Sequence, residues 1–374
     1  MLKYSENHIP VNKIYPIVFL FITLLVNGCE KDDFVSSQPD SNIIFLSGHF
    51  ENSTGWNLML MIKDGSHQSM ITDLTTICEK PVISHSGKTV LFIHYSDDSF
   101  YELYSIELDG TNLALIDRAE KYIGPADWSA DDSKIVYSKY IDETSGEESP
   151  PLYLDPTNNI VIFDFVTREK KILTDTLNNV SPKFSPDDKI AFSQTKGTSK
   201  GIYLMNNDGS DNQLIIPGAW DPVWSPDGQK IACTGSGENQ SPQIFVADKY
   251  GNNPVQLTSI YLMNYYDTDP VSFGNYNPYW TPDGKNIVYQ SDIDEGLPEI
   301  FIMKSSGINK KRLTNTYRRN ESPDISSDGN YILFSTTRNL AYEGEIYLMD
   351  IDGENQTPIS KRAGDECFPV YTYK

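Results

Sequence analysis

Seven times along this chain a short strand ends in an aromatic or aliphatic residue followed directly by Ser or Thr, and six of the seven carry Pro three positions before the hydroxyl residue. The copies are Pro81-Val-Ile-Ser84, Asp127-Trp128-Ser129, Pro182-Lys-Phe-Ser185, Pro222-Val-Trp-Ser225, Pro278-Tyr-Trp-Thr281, Pro323-Asp-Ile-Ser326 and Pro369-Val-Tyr-Thr372. Their hydroxyl residues are 45, 56, 40, 56, 45 and 46 positions apart. A period of roughly 40–50 residues built from short strands is the signature of a β-propeller.

Each unit reads as four strands. The best copies continue as Trp224-Ser-Pro-Asp-Gly228 and Trp280-Thr-Pro-Asp-Gly284, in which Pro presets φ, Asp bonds nearby amides and Gly accepts positive φ. Alternating β-rich runs follow, such as Lys134-Ile-Val-Tyr-Ser138 and Asn286-Ile-Val-Tyr-Gln290. A third run, Gly201-Ile-Tyr-Leu-Met205 or Glu299-Ile-Phe-Ile-Met303, leads to hairpin dipeptides such as Asp208-Gly209 and Asp352-Gly353. A polar fourth strand closes the unit, as in Lys311-Arg-Leu-Thr314. Residues 41 to 73 supply only strands two to four, and the missing first strand stands at the other terminus, Phe368-Pro-Val-Tyr-Thr-Tyr373. The expected fold is all-β: a seven-bladed propeller over 42–374, closed by the C-terminal strand joining the N-terminal blade, so that no edge stays open.

These repeats resemble the TolB-type propeller repeat, aromatic-Ser-Pro-Asp-Gly-x-x-Ile-x-Phe, then Ile-Tyr-x-Met-x-x-Asp-Gly, then Leu-Thr. The likeness spans nearly all of 41–374, and Ile83-Ser-His-Ser-Gly87 is its weakest copy, lacking the Pro-Asp pair. The resemblance implies a fold more than a chemistry, because the same repeat serves partner-binding envelope proteins, peptidase gating domains and some lyases. TolB itself has six blades behind an α/β domain, and related peptidases carry a hydrolase domain; neither pattern appears here.

Lys3 and Lys13 precede an apolar stretch, Ile14 to Val26, too short for a confident membrane span. It runs into Leu25-Val-Asn-Gly-Cys29, which resembles a bacterial lipobox with lipid on Cys29. We therefore expect a signal peptide over 1–28 and an acidic, polar tether over 29–41. Glu30-Lys-Asp-Asp33 resembles the export signal of surface-exposed outer-membrane lipoproteins; a periplasm-facing anchor is the alternative. A formal charge of −22 argues against nucleic acid and anionic lipid as partners, leaving the lipid anchor as the expected membrane contact. Cys233 lies in a strand and reads as core. Cys78 and Cys367 stand at one level of the two blades flanking the closure, which leaves open a disulfide between them or two free thiols.

Two insertions account for the 56-residue intervals: Tyr140 to Asn158, inside blade 3, and Ser259 to Tyr276, between blades 5 and 6. In a propeller the two-to-three and blade-to-blade connections share one face, so both insertions are expected there, where long loops commonly carry function. The binding candidates on that face are Trp56, Tyr140, Tyr153, Trp220, Tyr265, Tyr266, Asp267, Asp269, Tyr317, Arg318, Arg319, Arg338 and Tyr342. Rings beside Arg and carboxylates suit peptide or glycan recognition; packing of the loops by their own Tyr residues is the alternative.

Catalytic constellations are scarce. Gly197-Thr-Ser-Lys-Gly201 matches a nucleophile-elbow string but falls in a hairpin of blade 4. Pectic lyases with similar repeats are identified by several channel His residues holding a metal, whereas His49, His67, His85 and His94 all map to blades 1 and 2. Asp267-Thr-Asp269 and Asp350-Ile-Asp352-Gly353 lack the twelve-residue calcium-loop spacing and read as turn caps. No metal and no cofactor is expected. The leading expectation is a lipid-anchored, non-catalytic envelope module binding a protein or glycan. The alternative is a polysaccharide lyase or glycoside hydrolase, kept open by Asp142, Glu143, Glu147, Glu148, Asp267 and Asp269 on the insertions.

Overall fold

A computed structural model describes residues 42–48, 55–74, 76–77, 79–141, 157–175, 177–237, 241–259, 273–293, 296–316, 318–339, 344–360 and 365–372. All belong to the unit Val35–Lys374. They form seven four-stranded antiparallel sheets, the blades of a propeller. From blade 1 to blade 7 the first, inner strands are Glu366–Tyr371, Val82–Ile83, Asp127–Trp128, Asn179–Phe184, Ala219–Trp224, Asn275–Trp280 and Asn320–Ile325. Blade 1 is built from both ends of the unit: Glu366–Tyr371 pairs with Asn42–Ser47, with Ile43 opposite Tyr371 and Leu46 opposite Cys367. The expected count and closure are both present.

Alternation along the strands sends apolar side chains to both sides of each blade, and the result is seven clusters, each shared by two neighbouring blades. Blades 1 and 2 enclose Ile44, Leu58, Val90 and Phe92, and blades 2 and 3 enclose Leu91, Trp128 and Tyr137. The series runs on through Ile160 and Phe192, Ile202 and Ile231, Ile244 and Tyr289, and Ile300 and Phe334. It returns to blade 1 where Leu333 and Ile346 meet Phe45, Met59 and Tyr371. At about 1.5–3 kcal/mol for each large side chain buried, these clusters outweigh any single hydrogen bond in the ring.

The repeated polar residues have defined tasks. In five blades the turn hydroxyl donates to the Asp two residues on, as from Ser129 to Asp131 (2.8 Å), Ser225 to Asp227 (2.6 Å) and Thr281 to Asp283 (2.7 Å); Ser185 and Ser326 do the same at 2.6 Å. The same oxygen accepts the first N–H of the second strand, from Lys134, Lys189 and Lys230 at 2.9 Å and from Asn286 and Tyr331 at 3.0 Å. Only a side chain that donates and accepts at one atom can do both, which explains Ser or Thr at every copy. Donors from Ser133 and Ser129 hold Asp131, and donors from Thr281 and Lys285 hold Asp283, down to about 2. The Leu-Thr ending is a second latch. Thr174, Thr258 and Thr314 accept the N–H of Ile160, Ile244 and Ile300 at 2.9 Å, and Ser360 accepts that of Ile346 at 3.0 Å.

Neighbouring blades are also pinned at the axis. Each Trp that ends an inner strand donates its indole N–H to the inner strand of the preceding blade: Trp128 to Val82 O (3.5 Å), Trp224 to Lys183 O (3.3 Å), Trp280 to Val223 O (3.1 Å). Blade 2, without Pro-Asp, is capped by its neighbour instead. Asp132 of blade 3 accepts the N–H groups of His85 and Ser86, both at 2.8 Å. Replacing Trp280 by Phe keeps a ring but orphans the Val223 carbonyl. We expect a loss of about 1–2 kcal/mol, read as a lower urea midpoint at unchanged m-value.

Candidate functional site

The antiparallel alternation fixes which strand ends share an edge. Tyr140 ends a second strand and Asn158 begins a third, while Gln256 ends a fourth strand and Asn275 begins a first. All four termini therefore lie on one edge of the ring, called here the variable edge, as the loop rule anticipated. Both roots are anchored. Tyr140 is buried, and its hydroxyl accepts from Lys121 Nζ at 2.9 Å. Asn158 Nδ2 donates to Asn178 Oδ1 at 2.8 Å. Gly274 N donates to Asp292 Oδ1 at 2.7 Å.

The structure separates the sequence candidates. Tyr153, Tyr265, Tyr266, Asp267, Asp269, Tyr317 and Tyr342 lie outside the described residues, as do Cys29, Cys78 and His49. Arg318 and Arg319 are exposed, and Arg319 pairs with Glu321 at 2.9 Å. Trp56 is half-buried against the core shared by blades 1 and 2. Arg338 is committed to its own blade. It donates to Gln356 Oε1 (2.8 Å) and Asn320 Oδ1 (3.0 Å) and stacks 4.4 Å above the Tyr347 ring. Cys367 is a half-buried free thiol whose pKa is raised by burial and by Glu321, Asp365 and Glu366.

Trp220 belongs to a set that sequence reasoning missed. Five inner strands share one burial pattern, a buried residue, two half-buried ones, then buried Pro: Val180-Ser181, Trp220-Asp221, Tyr276-Asn277, Glu321-Ser322 and Cys367-Phe368. The second residue of each pair has positive φ: Ser181 52°, Asp221 51°, Asn277 51°, Ser322 54°, Phe368 52°. The ladder slips there, so each inner strand carries a bulge at the same level. Inner strands are flanked by blades on both sides, so the Val180, Trp220, Tyr276 and Glu321 pairs open toward the axis, whereas Cys367 and Phe368 line a groove between blades 1 and 2. The signal was available as the two residues before each repeated Pro, where Asp221 and Asn277 are also residue types that tolerate positive φ.

The channel is polar. Asp221 accepts from Ser181 Oγ at 2.7 Å, and burial raises its carboxyl above the ordinary range against Ser181 and Lys183. Lys183 pairs with Asp127 at 3.1 Å and Lys80 lies 3.9 Å from Asp324. Tyr276 is pushed up to about 12 by burial, Asp292 and Glu321, against Arg319. Deeper, a cavity of about 660 Å³ opens among Trp128, Trp224, Tyr279 and Trp280 toward the turns of the opposite edge. Among the described residues no three His, Cys, Asp or Glu side chains stand together as a metal site. His94 faces Glu102 at 3.3 Å and His85 faces Asp132 at 3.2 Å. Ser199 of the G-x-S-x-G string lies in a hairpin, its carbonyl accepting from Tyr203 Oη at 3.0 Å.

Residues 90–373 match the family model of the TolB beta propeller domain. The chain belongs to that family. The Tol-Pal system protein TolB of Francisella tularensis subsp. mediasiatica (strain FSC147) is 30% identical over 265 residues, covering 68% of this chain and 55% of TolB. The chain thus aligns with little more than half the length of that TolB. TolB from Acinetobacter baumannii shares the fold at TM-score 0.54 and 19% identity, over 89% of this chain and 83% of its own. An oligogalacturonate lyase from Vibrio parahaemolyticus does so at TM-score 0.64 and 15% identity, over 85% and 89%. Within this TolB-family propeller Arg338 should act as a clamp. Arg338→Ala is expected to lower unfolding free energy by about 2 kcal/mol, measured by urea denaturation, while ligand capture is unchanged.

Proposed function

We propose that this propeller is a lipid-anchored, non-catalytic module of the bacterial envelope that captures a protein or glycan on its variable edge. The observation that carries the reading is the coincidence on one edge of both long insertions and the five opened inner-strand pairs. The opposite edge is occupied by turns of one stereotyped form, so sequence variation is concentrated where the channel mouth offers Trp220, Tyr276 and Glu321. TolB relatives that are Tol-Pal system components by name support an envelope partner. Attachment through Cys29, at the outer membrane and on its outer surface, belongs to the same proposal.

A second reading keeps one observation: a polar channel holding Asp221 with a raised pKa, in a fold shared with an oligogalacturonate lyase. Turnover of acidic or neutral oligosaccharides, with or without divalent metal, would favour it over binding.

Two experiments test the proposal. Photo-crosslinking in intact cells should give adducts with the full chain, and deleting 142–156 and 262–274 should remove them while thermal unfolding stays nearly unchanged. Adducts that persist after both deletions sink the assignment of the face. Separately, Cys29→Ser should abolish fatty-acid labelling and move the protein from the membrane to the soluble fraction.

A further inference from the structure

Off the channel, on the variable edge, a groove runs between blades 1 and 2. Its cavity is about 500 Å³, and its walls are largely aromatic: Trp56, Tyr95, Tyr101 and Phe368, with Thr76 beside them. These come from five separate places in the chain: the connection before the third strand of blade 1, both strands of the blade 2 hairpin, the crossing between those blades, and the C-terminal strand. Gly48 stands beside the indole, where an added Cβ would meet Trp56 at an ordinary 3.7 Å but crowd Asp365 at 3.3 Å. The rings continue as an arc. Tyr95 and Tyr101 meet edge to face at 5.0 Å, and Tyr101 and Tyr122 are tilted at 6.3 Å. Beyond them the surface becomes charged, with Lys121 Nζ 4.5 Å over Tyr140 and a second groove of about 520 Å³ that includes Asp117, Arg118, Glu120, Lys139 and Lys170, so the uncharged arc ends at Tyr122.

We infer that this arc is a binding platform for a neutral oligosaccharide, with Trp56 and Tyr95 as its stacking residues. The inference rests on the reading of the variable edge as the recognition face and names its ligand class. Three observations select that class. Among the described residues lining the blade 1–2 groove none is a carboxylate, an amine or a guanidinium, and the nearest described charges, Asp365 and Glu366, are acidic. The chain as a whole carries −22, which repels polyanions. The groove's polar side chains are mainly hydroxyls, which sugar hydroxyls can pair with, Thr76 Oγ1 as acceptor because it already donates to Tyr95 O at 2.7 Å, while flat rings supply apolar area for pyranose faces. A peptide strand is disfavoured because local backbone is already paired, Ile77 N to Trp56 O at 3.3 Å and Tyr95 N to Thr76 O at 3.0 Å.

The test is calorimetric titration of the full mature chain with short neutral oligosaccharides of the gluco-, manno-, xylo- and N-acetylglucosamine series, beside matched uronate oligomers and an apolar peptide library. At least one neutral series should bind. Trp56→Ala and Tyr95→Ala should each weaken it about tenfold or more, Trp56→Phe should keep most of the affinity, and the melting temperature of Tyr95→Ala should hold. Tyr95 is partly exposed, so its variant tests the groove even if Trp56→Ala fails to fold. The inference is overturned if no neutral series binds, if uronates or peptides bind instead, or if both alanine variants bind like the parent. Deleting 142–156 and 262–274 should spare short-oligosaccharide affinity. Loss of cellular adducts with no oligosaccharide binding retires the groove and keeps the face; oligosaccharide binding with adducts intact after deletion retires the face.

Discussion

The pairing of Glu366–Tyr371 with Asn42–Ser47 is the constraint on which everything else rests. Without it the outermost blades would each expose a flank of the size seen between every other pair. The seam is also where the repeat chemistry is interrupted. Thr372 occupies the turn-hydroxyl position and its N–H still reaches Asn42 O at 3.2 Å, but no Ser-Pro-Asp-Gly turn joins the two. The Thr372 hydroxyl and both side-chain atoms of Asn42 are buried and find no partner among the described residues. Closure is therefore driven by apolar packing, with Tyr371, Phe45, Met59 and Met61 buried against blade 7.

The same hydroxyl-aspartate turn that makes the repeat regular also decides where function can reside. Five copies close the hairpin with Ser or Thr, the Asp two residues on, and Gly or Asp at the positive-φ position, leaving little freedom for recognition on that edge. The bulges work in the opposite sense. A positive φ at a non-glycine residue is unfavourable, least so for Asn and Asp, and five inner strands adopt it at one level. Phe368 adopts it without that excuse, at the mouth of the aromatic groove. Strain placed consistently around a channel, rather than scattered, ties the backbone geometry to the accessibility of the side chains it turns outward.

Much of this was legible beforehand because it depends on local chemistry repeated many times. Trp224-Ser-Pro-Asp-Gly228 announces its turn, seven hydroxyl marks give the blade count, and the missing first strand near Ile43 predicts its replacement from the C-terminus. What stayed hidden depends on contacts between distant segments. Nothing near Arg338 in sequence says that Gln356, Asn320 and Tyr347 hold its guanidinium. Asp132 capping blade 2 across 47 and 46 positions is equally invisible. The aromatic arc draws on residues from 56 to 368 and has no periodicity, so only the ring assembles it. The pairs before each Pro were readable, but as an alignment of blades, not as a motif.

In a chain of formal charge −22 the described carboxylates and the blade 1–2 groove are largely kept apart. The turns take many carboxylates and bind them to their own amides, as at Asp131 and Asp283. The inner channel pairs its lysines with aspartates, Lys183 with Asp127 and Lys80 near Asp324. Beside that channel the blade 1–2 groove keeps its rings free of charged neighbours among its described lining residues. An uncharged, ring-lined surface on a strongly anionic body discriminates by shape and hydroxyl pairing, because coulombic attraction is weakest there for any anion and absent for a neutral chain. Selectivity of that kind follows from where the propeller puts its charges, whatever the identity of the ligand.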